Sequence, residues 1–400
     1  MDIHQRGKIF TVLFFSIFAA MLGLGIILPI LPLYAETIGA GGLWLGAIFA
    51  GFSLSRSCCM PIVGKLSDRW GRKGFIATGL LVYSLSSLGY VYASNAAELV
   101  LVRIVQGACS AMIVPIAMAY IGDITPPDRE GSYMGRFTMS LFLGFGFGPI
   151  LGGLIKDAIN VDAAFVGMGI LCSLAFVLVV CWLPPGHGTG AAGRGESSSY
   201  RTILRCRQLQ GVLCYRFVSS FARASVLTFL PLYASRELGL SASLIGLLVA
   251  AGVLSASFLQ YPFGKLADRV NRKILIVAGS LCYASTLVFF PFADTFWQLL
   301  GLSLLMGVTG AVSLPAATAL IVERGRTFGM GSSMAVFNVA MSLGLGCGPL
   351  VSGIIFDAGD LALVFYAAAG LGILGTAVAG YLLAGSPPTG TAATRVVEDI

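Results

Sequence analysis

The sequence predicts an all-α membrane protein with twelve transmembrane helices, built as two six-helix bundles that a pseudo-twofold axis relates. Three observations predict this fold. The 400 residues are 57% hydrophobic and only 11% charged, whereas about a quarter of the residues in soluble domains are charged. The apolar residues fall into twelve runs, most of them about 20 residues long, which is the length that spans a bilayer. Finally, the second half of the chain repeats the first at a separation of 200 residues.

Each apolar run is predicted to be a helix, because irregular backbone cannot face lipid with its polar groups unsatisfied. The runs also lack the alternating polarity of barrel strands. The first run follows Arg6 and Lys8 and resembles a signal peptide. It is about twice as long as a signal-peptide core, so we expect it to be retained as the first helix. The predicted spans are residues 9–34, 43–63, 74–94, 98–121, 132–155, 163–183, 209–234, 243–263, 274–293, 297–321, 330–355 and 361–384.

A linker divides the two predicted bundles. Residues 184–208 include a stretch rich in glycine, serine and proline, a composition that is typical of flexible connections. The linker separates an N-terminal six-helix bundle at 1–183 from a C-terminal one at 209–385, and a short tail follows at 386–400. With an even number of spans, both termini lie on one side of the membrane.

The distribution of positive charge predicts which side that is. Of the 25 lysines and arginines, 19 fall in the termini and the loops on the side of the termini, and two fall in the opposite loops. The positive-inside rule therefore places both termini, the linker and the tail in the cytoplasm. The compact loops favour an integral protein of a plasma membrane, and of a bacterial inner membrane in particular. The basic residues form short clusters without a continuous basic face, which argues against nucleic acid as a partner.

The composition provides no support for metal, nucleotide or catalytic chemistry. The nine cysteines show no metal-ligand spacing and are expected to be unpaired, and the two histidines lie in the N-terminal tail and the linker. No glycine-rich stretch ends in Gly-Lys-Ser/Thr, so ATP is not expected to be the direct energy source. A membrane enzyme or a non-transporting receptor is the alternative from another class. We find no nucleophile–base set for the former and no sizeable extramembrane domain for the latter.

The internal repeat is clearest in two polar segments. "GKLSDRWGRK", at 64–73, returns as "GKLADRVNRK" at 264–273, and "GGLIKDA", from Gly152, returns as "SGIIFDA" from Ser352. The chain is thus one six-helix unit in two copies. Because six is an even number, both copies have the same orientation, and the axis that relates them runs along the membrane normal.

Four motifs follow one another along the chain: "LGLGIILPILPLYAE" from Leu22, the 64–73 loop, "RIVQG" from Arg103 and "GFGFGPILGG" from Gly144. In this order they resemble the motifs of the major facilitator superfamily, and the resemblance covers essentially the whole chain. The first and the last are similar to motifs of the twelve-helix drug:proton antiporters. The resemblance implies a monomeric secondary transporter of a small-molecule substrate within the lipid bilayer. It also implies that the proton gradient supplies the energy and that no cofactor is needed.

The repeated loops are the expected cytoplasmic gate. Gly64 should end the second helix tightly, and Gly71 should allow a turn with positive φ. Asn271, which replaces this glycine in the second copy, tolerates the same conformation. If the family arrangement holds, Asp68 and Asp268 cap helix N-termini of the opposite half and clamp the halves together. The alternative is that these loops are solvated and only supply the positive charge that the positive-inside rule expects on the cytoplasmic side.

Two further features are predicted to serve gating. Arg72 should pair with Asp123, and Arg272 with Glu323, the two acids lying 200 residues apart. The alternative is that both are ordinary interfacial acids. In the fifth helix, Gly148-Pro149 belongs to a glycine-rich segment that we expect to act as a packed, bendable pivot. Generic helix packing would explain the same residues.

Four arginines fall within the predicted helices, although a charge at the bilayer centre is costly. Arg223 lies near the midplane and is the best substrate-binding candidate, while Arg103, Arg56 and Arg216 lie nearer the ends of their helices. No Asp or Glu occupies the central third of any predicted helix. The structural alternative is an arginine satisfied by helix carbonyls. The other polar residues expected near a mostly apolar cavity are Ser53, Gln106, Thr228, Gln260, Tyr261 and Asn338.

The leading functional hypothesis is a proton-coupled exporter of small lipophilic or amphipathic organic compounds that works by alternating access. The alternative is a symporter or uniporter of an organic anion, with Arg223 and Arg103 binding the negative charge. The lack of mid-helix acids sets this chain apart from proton-coupled drug exporters and leaves only peripheral candidates for coupling, namely Asp123, Glu36 and Glu98.

Overall fold

A computed structural model describes residues 3–125, 130–184, 204–328 and 330–384. Within these ranges, twelve helices are long and apolar enough to cross a membrane, and no strand is present. The all-α prediction is thereby confirmed. Most of the linker predicted at 184–208 and the whole tail at 386–400 lie outside the described residues. The helices are α1 (Ile3–Thr37), α2 (Gly42–Trp70), α3 (Arg72–Tyr92), α4 (Ala96–Ile124), α5 (Glu130–Ala158), α6 (Val161–Trp182), α7 (Arg207–Arg236), α8 (Ala242–Arg269), α9 (Arg272–Val288), α10 (Phe296–Phe328), α11 (Met330–Ala358) and α12 (Leu361–Ala384).

The second helix is longer than predicted, and the expectation that it ends at Gly64 was wrong. α2 continues through this glycine to Trp70. No other residue lies within 4 Å of a Cβ built at Gly64, so nothing there forces the chain to turn. The turn comes at Gly71 instead, where φ is +91° as predicted. The Gly71 amide donates to the carbonyl of Ser67 at 3.1 Å and closes the helix end.

The matching turn in the second half does not copy this backbone, which corrects the prediction for Asn271. This residue has φ −57° and ψ 113°, outside the left-handed region. Its side chain accepts a hydrogen bond from the Lys273 amide at 3.0 Å, as asparagine commonly does at a helix N-terminus. The side-chain cap thus takes the place of the special backbone conformation that glycine supplies in the first half.

The two six-helix bundles meet along three helix pairs, with α2 against α11, α5 against α8 and α1 against α7. On α5, Gly144 and Gly148 face α1 of their own bundle, where a Cβ at Gly148 would lie 2.5 Å from the carbonyl oxygen of Leu22. On the other face, a Cβ at Gly153 would lie 2.7 Å from the Cα of Ser243 on α8. Small residues therefore permit close packing both within and between the bundles.

The two ends of the bundle pair differ in charge. We call the end that carries the turns at 70–72 and 269–272 the basic end, because Lys65, Arg69 and Lys265 lie there. The end that carries the turns at 37–42, 158–161, 236–242 and 358–361 is the distal end. The contacts between Gly153 and α8 are at the distal end, whereas an open cavity of about 680 Å³ at the basic end is lined by residues of the C-terminal bundle. The structure is therefore closed distally and open at the basic end.

Candidate transport site and gates

A central cavity of about 90 Å³ lies where α5 meets the C-terminal bundle. Phe142 and Phe145 of α5 form one wall, and α7, α8, α9 and α10 form the others. The lining is mainly apolar, and Arg223 is the one charged side chain among the described residues that form it. A mostly apolar concavity with few polar groups is the usual form of a site for a small organic molecule.

Arg223 lies near the middle of α7 and is half-buried. A Cβ built at Gly310 of α10 would lie 3.3 Å from Nη2 of Arg223 and 3.6 Å from the ring of Tyr283, which places the guanidinium beside this tyrosine. The Tyr283 hydroxyl is buried and has no hydrogen-bond partner in the described part of the chain. No described carboxylate forms an ion pair with Arg223.

Behind these two residues lies a smaller pocket of about 20 Å³ within the C-terminal bundle. We call it the hydroxyl pocket, because Ser219, Ser280, Ser313 and Thr376 line it. Most of these hydroxyls donate to their own helices, for example Thr376 to the Gly372 carbonyl at 2.7 Å. Arg223 and Tyr283 are the two residues that line both this pocket and the central cavity.

The central cavity also borders the open cavity at the basic end. Gln260 of α8 lines both, so the two spaces adjoin at this side chain. Tyr261 and Asn338, two other predicted site residues, line the open cavity, and so does Arg216. A guanidinium nitrogen of Arg216 lies 2.6 Å from the sulfur of Met341, and its carbon lies 4.9 Å from the centre of the Phe337 ring.

Arg103 lies elsewhere, inside the N-terminal bundle, and only 3% of it is exposed. It donates to Oε1 of Gln106 at 2.9 Å, and its guanidinium carbon lies 4.5 Å from the centre of the Phe52 ring. The Tyr90 hydroxyl donates to the same Gln106 oxygen at 2.6 Å. This arrangement satisfies the arginine within its own bundle, in agreement with the structural alternative.

The remaining predicted site residues line none of these three cavities. The Thr228 hydroxyl is buried and donates to the Ala224 carbonyl on its own helix at 2.9 Å. Ser53 and Arg56 lie on α2 of the N-terminal bundle. Nε of Arg56 is buried and has no hydrogen-bond partner among the residues that the structure describes.

The predicted acid–arginine pairs are both present. Nε of Arg72 lies 2.5 Å from Oδ2 of Asp123, and Nη1 of Arg272 lies 2.7 Å from Oε2 of Glu323. The first pair is more deeply buried, because its arginine side chain is 8% exposed and that of the second pair is 27% exposed. The side chains of Asp68 and Asp268, the predicted clamp residues, lie outside the described part of the structure.

The distal end has a clamp that sequence reasoning missed. Asp157 at the end of α5 accepts hydrogen bonds from the amides of Ala242 and Ser243, the first residues of α8, at 3.1 and 2.7 Å. The Ser243 hydroxyl adds a third at 2.6 Å. A carboxylate at a helix N-terminus meets free amides and the positive end of the helix dipole. Asp157 therefore holds the two bundles together.

The same clamp occurs a second time, 200 residues on. Asp357 at the end of α11 accepts from the amides of Gly42 and Leu43, the first residues of α2, at 2.5 and 2.8 Å. The repeat of "KDA" as "FDA" was the signal that could have revealed both acids. The distal end also has an ion pair between Glu36 of α1 and Arg236 of α7. The repeat of "PLYA" aligns these helix ends at an offset of 199, so Glu36 corresponds to Ser235 and the ion pair joins two positions that are not equivalent.

Comparisons with known proteins agree with this architecture. The family model described as Major Facilitator Superfamily matches residues 13–209 and 212–398. An uncharacterized MFS-type transporter of Methanocaldococcus jannaschii is 30% identical over 351 residues, which cover 86% of this chain and 90% of that protein. The quinolone resistance protein NorA of Staphylococcus aureus is 26% identical over 374 residues, which cover 92% and 94% of the two chains.

A solved structure has the same fold at low sequence identity. The crystal structure of a bacterial homologue of the human lysosomal transporter Spinster, in an inward-facing and unoccupied conformation, superposes with a TM-score of 0.78. It is 15% identical and covers 96% of this chain and 95% of its own. With the family model matching both halves, the chain belongs to the Major Facilitator Superfamily and is an integral membrane transporter.

Proposed function

We propose that this transporter exports small amphipathic organic compounds by alternating access and that the proton gradient drives it. The central cavity is the observation that carries the proposal. Its walls are mainly apolar, its volume is about 90 Å³, and it adjoins the open cavity of about 680 Å³ at the basic end. The apolar lining of the central cavity, with its few polar groups, suits the apolar body of a small organic molecule that extends into the open cavity.

The proposed orientation identifies the side of the membrane to which this structure is open. The positive-inside rule puts the basic end in the cytoplasm, so the open cavity faces inward and a substrate enters past Gln260. Release requires the distal clamp of Asp157 and Asp357 to open and the basic end to close. In this proposal both termini are cytoplasmic, the protein acts as a monomer, and it lies in a bacterial inner membrane. The name of NorA, a quinolone resistance protein, supports export of drug-like molecules.

The proposed proton coupling has to use acids at the ends of helices. No described Asp or Glu lines the central cavity. Glu36 in the distal ion pair and Asp123 in the pair with Arg72 are carboxylates whose partners lie at gates, and Glu98 caps the start of α4. Protonation of a carboxylate removes the charge that holds such a pair, and it would thereby link proton binding to gate opening. No cofactor takes part in this scheme.

Transport by the purified protein in proteoliposomes tests the proposal. A panel of fluorescent amphipathic compounds that are neutral, cationic or anionic is loaded on one side, and movement is recorded with a pH gradient in each direction and without one. We expect at least one charge class to be concentrated against its gradient only when protons flow the opposite way. Protein-free liposomes give the background. Movement that ignores the pH gradient would remove the proton coupling, and the absence of movement for every class would contradict the proposed function.

A further inference from the structure

We propose that Arg223 and Tyr283 form an anion-binding subsite in the wall of the central cavity, and that the substrate is an amphipathic organic anion. The subsite would receive one carboxylate or a similar group, while the apolar body of the molecule fills the cavity. This inference rests on the proposed function, because it names the substrate class of the same site.

Arg223 carries a positive charge in the middle of a transmembrane helix. An arginine in the middle of a transmembrane helix is costly unless an acid, a polar network or water stabilises it. No described acid forms an ion pair with Arg223, and the cavity that it lines has no other charged side chain. A bound anion supplies the missing charge, and the guanidinium can donate two parallel hydrogen bonds to a carboxylate.

The buried hydroxyl of Tyr283 supplies a second hydrogen-bond donor in the same wall. Only 7% of this residue is exposed, and its hydroxyl makes no hydrogen bond of normal geometry in the described part of the chain, although the Arg223 guanidinium lies near enough to interact with its oxygen. The hydroxyl hydrogen is therefore left without an acceptor, which is destabilising in a buried site, and a ligand that accepts a hydrogen bond there would relieve this cost. Because the hydroxyl and the Arg223 guanidinium lie in the same wall, one anionic group would engage both donors.

The lining of the cavity determines the rest of the ligand. Phe142, Phe145 and Leu248 face the same space as Arg223. An inorganic anion would leave these apolar surfaces uncovered, whereas an aromatic or aliphatic body buries them at a gain in free energy. The ligand reaches the subsite from the open cavity, since the two spaces adjoin at Gln260.

The competing explanation is that the hydroxyl pocket satisfies Arg223 and that the arginine is purely structural. Ser280 donates to the Ile276 carbonyl at 2.5 Å and Thr376 to the Gly372 carbonyl at 2.7 Å, so each oxygen keeps lone pairs with which it could accept. Water in that pocket would help as well. In this case a neutral ligand would bind the cavity as tightly as an anionic one, and binding measurements separate the two explanations.

The test uses three fluorescent ligands that differ only in the charged group: 1-pyrenebutanoate, 1-pyrenebutanamide and 1-pyrenebutylamine. Their binding to the full-length protein in nanodiscs is measured by fluorescence polarisation, with empty nanodiscs as the background. We expect the carboxylate to bind roughly 10- to 100-fold more tightly than the amide, the range of one charge-assisted hydrogen-bond pair. The amine should bind most weakly, because Arg223 repels it.

Substitutions then locate the preference. Arg223→Gln should make the carboxylate and the amide equal, and Arg223→Lys should lose most of the preference because the planar fork of donors is gone. Tyr283→Phe should reduce the preference a few-fold. Arg207→Gln is the matched control. This exposed arginine of the same helix lies against Tyr381 at the basic end, 4.6 Å from the ring centre, so the preference should be unchanged. Melting temperatures of all variants confirm that they are folded.

The outcomes separate this inference from the function on which it rests. A wild-type protein that binds the amide or the amine as tightly as the carboxylate overturns the anion subsite and leaves the exporter intact. The same holds if Arg223→Gln or Tyr283→Phe folds and retains the full preference. Failure of all three ligands to bind counts against both the subsite and the amphipathic cavity.

Discussion

The two halves of this transporter share a backbone plan and differ in where they put positive charge. The N-terminal bundle buries Arg103 among Gln106 and two phenylalanine rings. The C-terminal bundle has Ser303 at the equivalent position, and its arginine comes from α7, as Arg223. In the first half the charge is enclosed by protein, and in the second it faces a cavity.

The comparison extends to the residues that surround each charge. Tyr83 and Tyr283 are equivalent, and both hydroxyls are buried without a hydrogen-bond partner in the described ranges. In contrast, Leu24 stands where the second half has Arg223, because α1 and α7 align at an offset of 199 residues, with "PLYA" at 32–35 and at 231–234. The gates remain matched, with acid–arginine pairs at the basic end and aspartate caps at the distal end of both halves. The residues at both ends of the bundle pair are therefore repeated, whereas of the two residues proposed to bind the anion, Tyr283 is repeated and Arg223 is not.

The largest effect that would test this comparison is on stability. We expect Arg103→Ala to lower the free energy of unfolding by on the order of 3 kcal/mol, because it removes a charge-assisted hydrogen bond and two contacts with aromatic rings. Arg223→Ala should cost less than about 1 kcal/mol, since a half-buried arginine beside a cavity loses little packing. Chemical unfolding of both variants in detergent measures the difference. Equal losses, or a larger loss for Arg223→Ala, would break the contrast between enclosed and cavity-facing charge.

An intermediate effect should distinguish the two acid–arginine pairs. Double-mutant cycles with Arg72→Gln and Asp123→Asn should give a coupling energy of about 2 kcal/mol, because burial limits solvent screening. The cycle with Arg272→Gln and Glu323→Gln should give less than about 1 kcal/mol, as is usual for exposed pairs. Raising the salt concentration should weaken the second coupling more than the first. A stronger C-terminal coupling would show that burial does not determine the rank of the pairs.

The smallest expected effect concerns the distal caps. Asp157→Asn and Asp357→Asn should each shift the protein toward distal opening by about 1 kcal/mol, the usual strength of a charge at a helix N-terminus. Asp157→Asn should have the larger effect, since that carboxylate accepts three hydrogen bonds and the other accepts two.

Spin labels on non-native amino acids at Ser94 and Asp294, exposed and equivalent positions at the distal end, measure the opening as a distance distribution. Ser243→Ala in the Asp157→Asn background is the matched control for the third hydrogen bond. Distributions that do not change in either aspartate variant would mean that the caps do not hold the distal end closed.

Several features of the site could be predicted from single positions in the repeat. The pairs Arg72–Asp123 and Arg272–Glu323 were correct, because both partners lie at helix ends that the repeat places together. Gly71 was correct because a tight turn demands positive φ. The prediction that Asn271 adopts the same backbone was wrong, since an asparagine side chain can cap a helix without a positive φ. Residue propensity alone does not choose between the left-handed backbone and the side-chain cap.

The sequence by itself determined the number of helices, the duplication and the family. These depend on the length of apolar runs and on a constant offset, both of which are properties of a linear chain. Only the tertiary structure decided which of the four helix arginines lines the central cavity, because that depends on how each helix is rotated about its axis and on what packs against it. Arg216 and Arg223 share a face of α7, yet Arg216 contacts Met341 and Phe337 and lines the open cavity at the basic end, whereas Arg223 lines the central cavity.

The state of the gates was likewise a tertiary outcome. The same two bundles can meet at either end, and the sequence contains acids suited to both. Packing of Gly153 and Gly353 against the opposite bundle, together with the caps of Asp157 and Asp357, makes the distal end the closed one in this structure. A linear pattern cannot express that choice, because it does not specify which surfaces of the two halves touch.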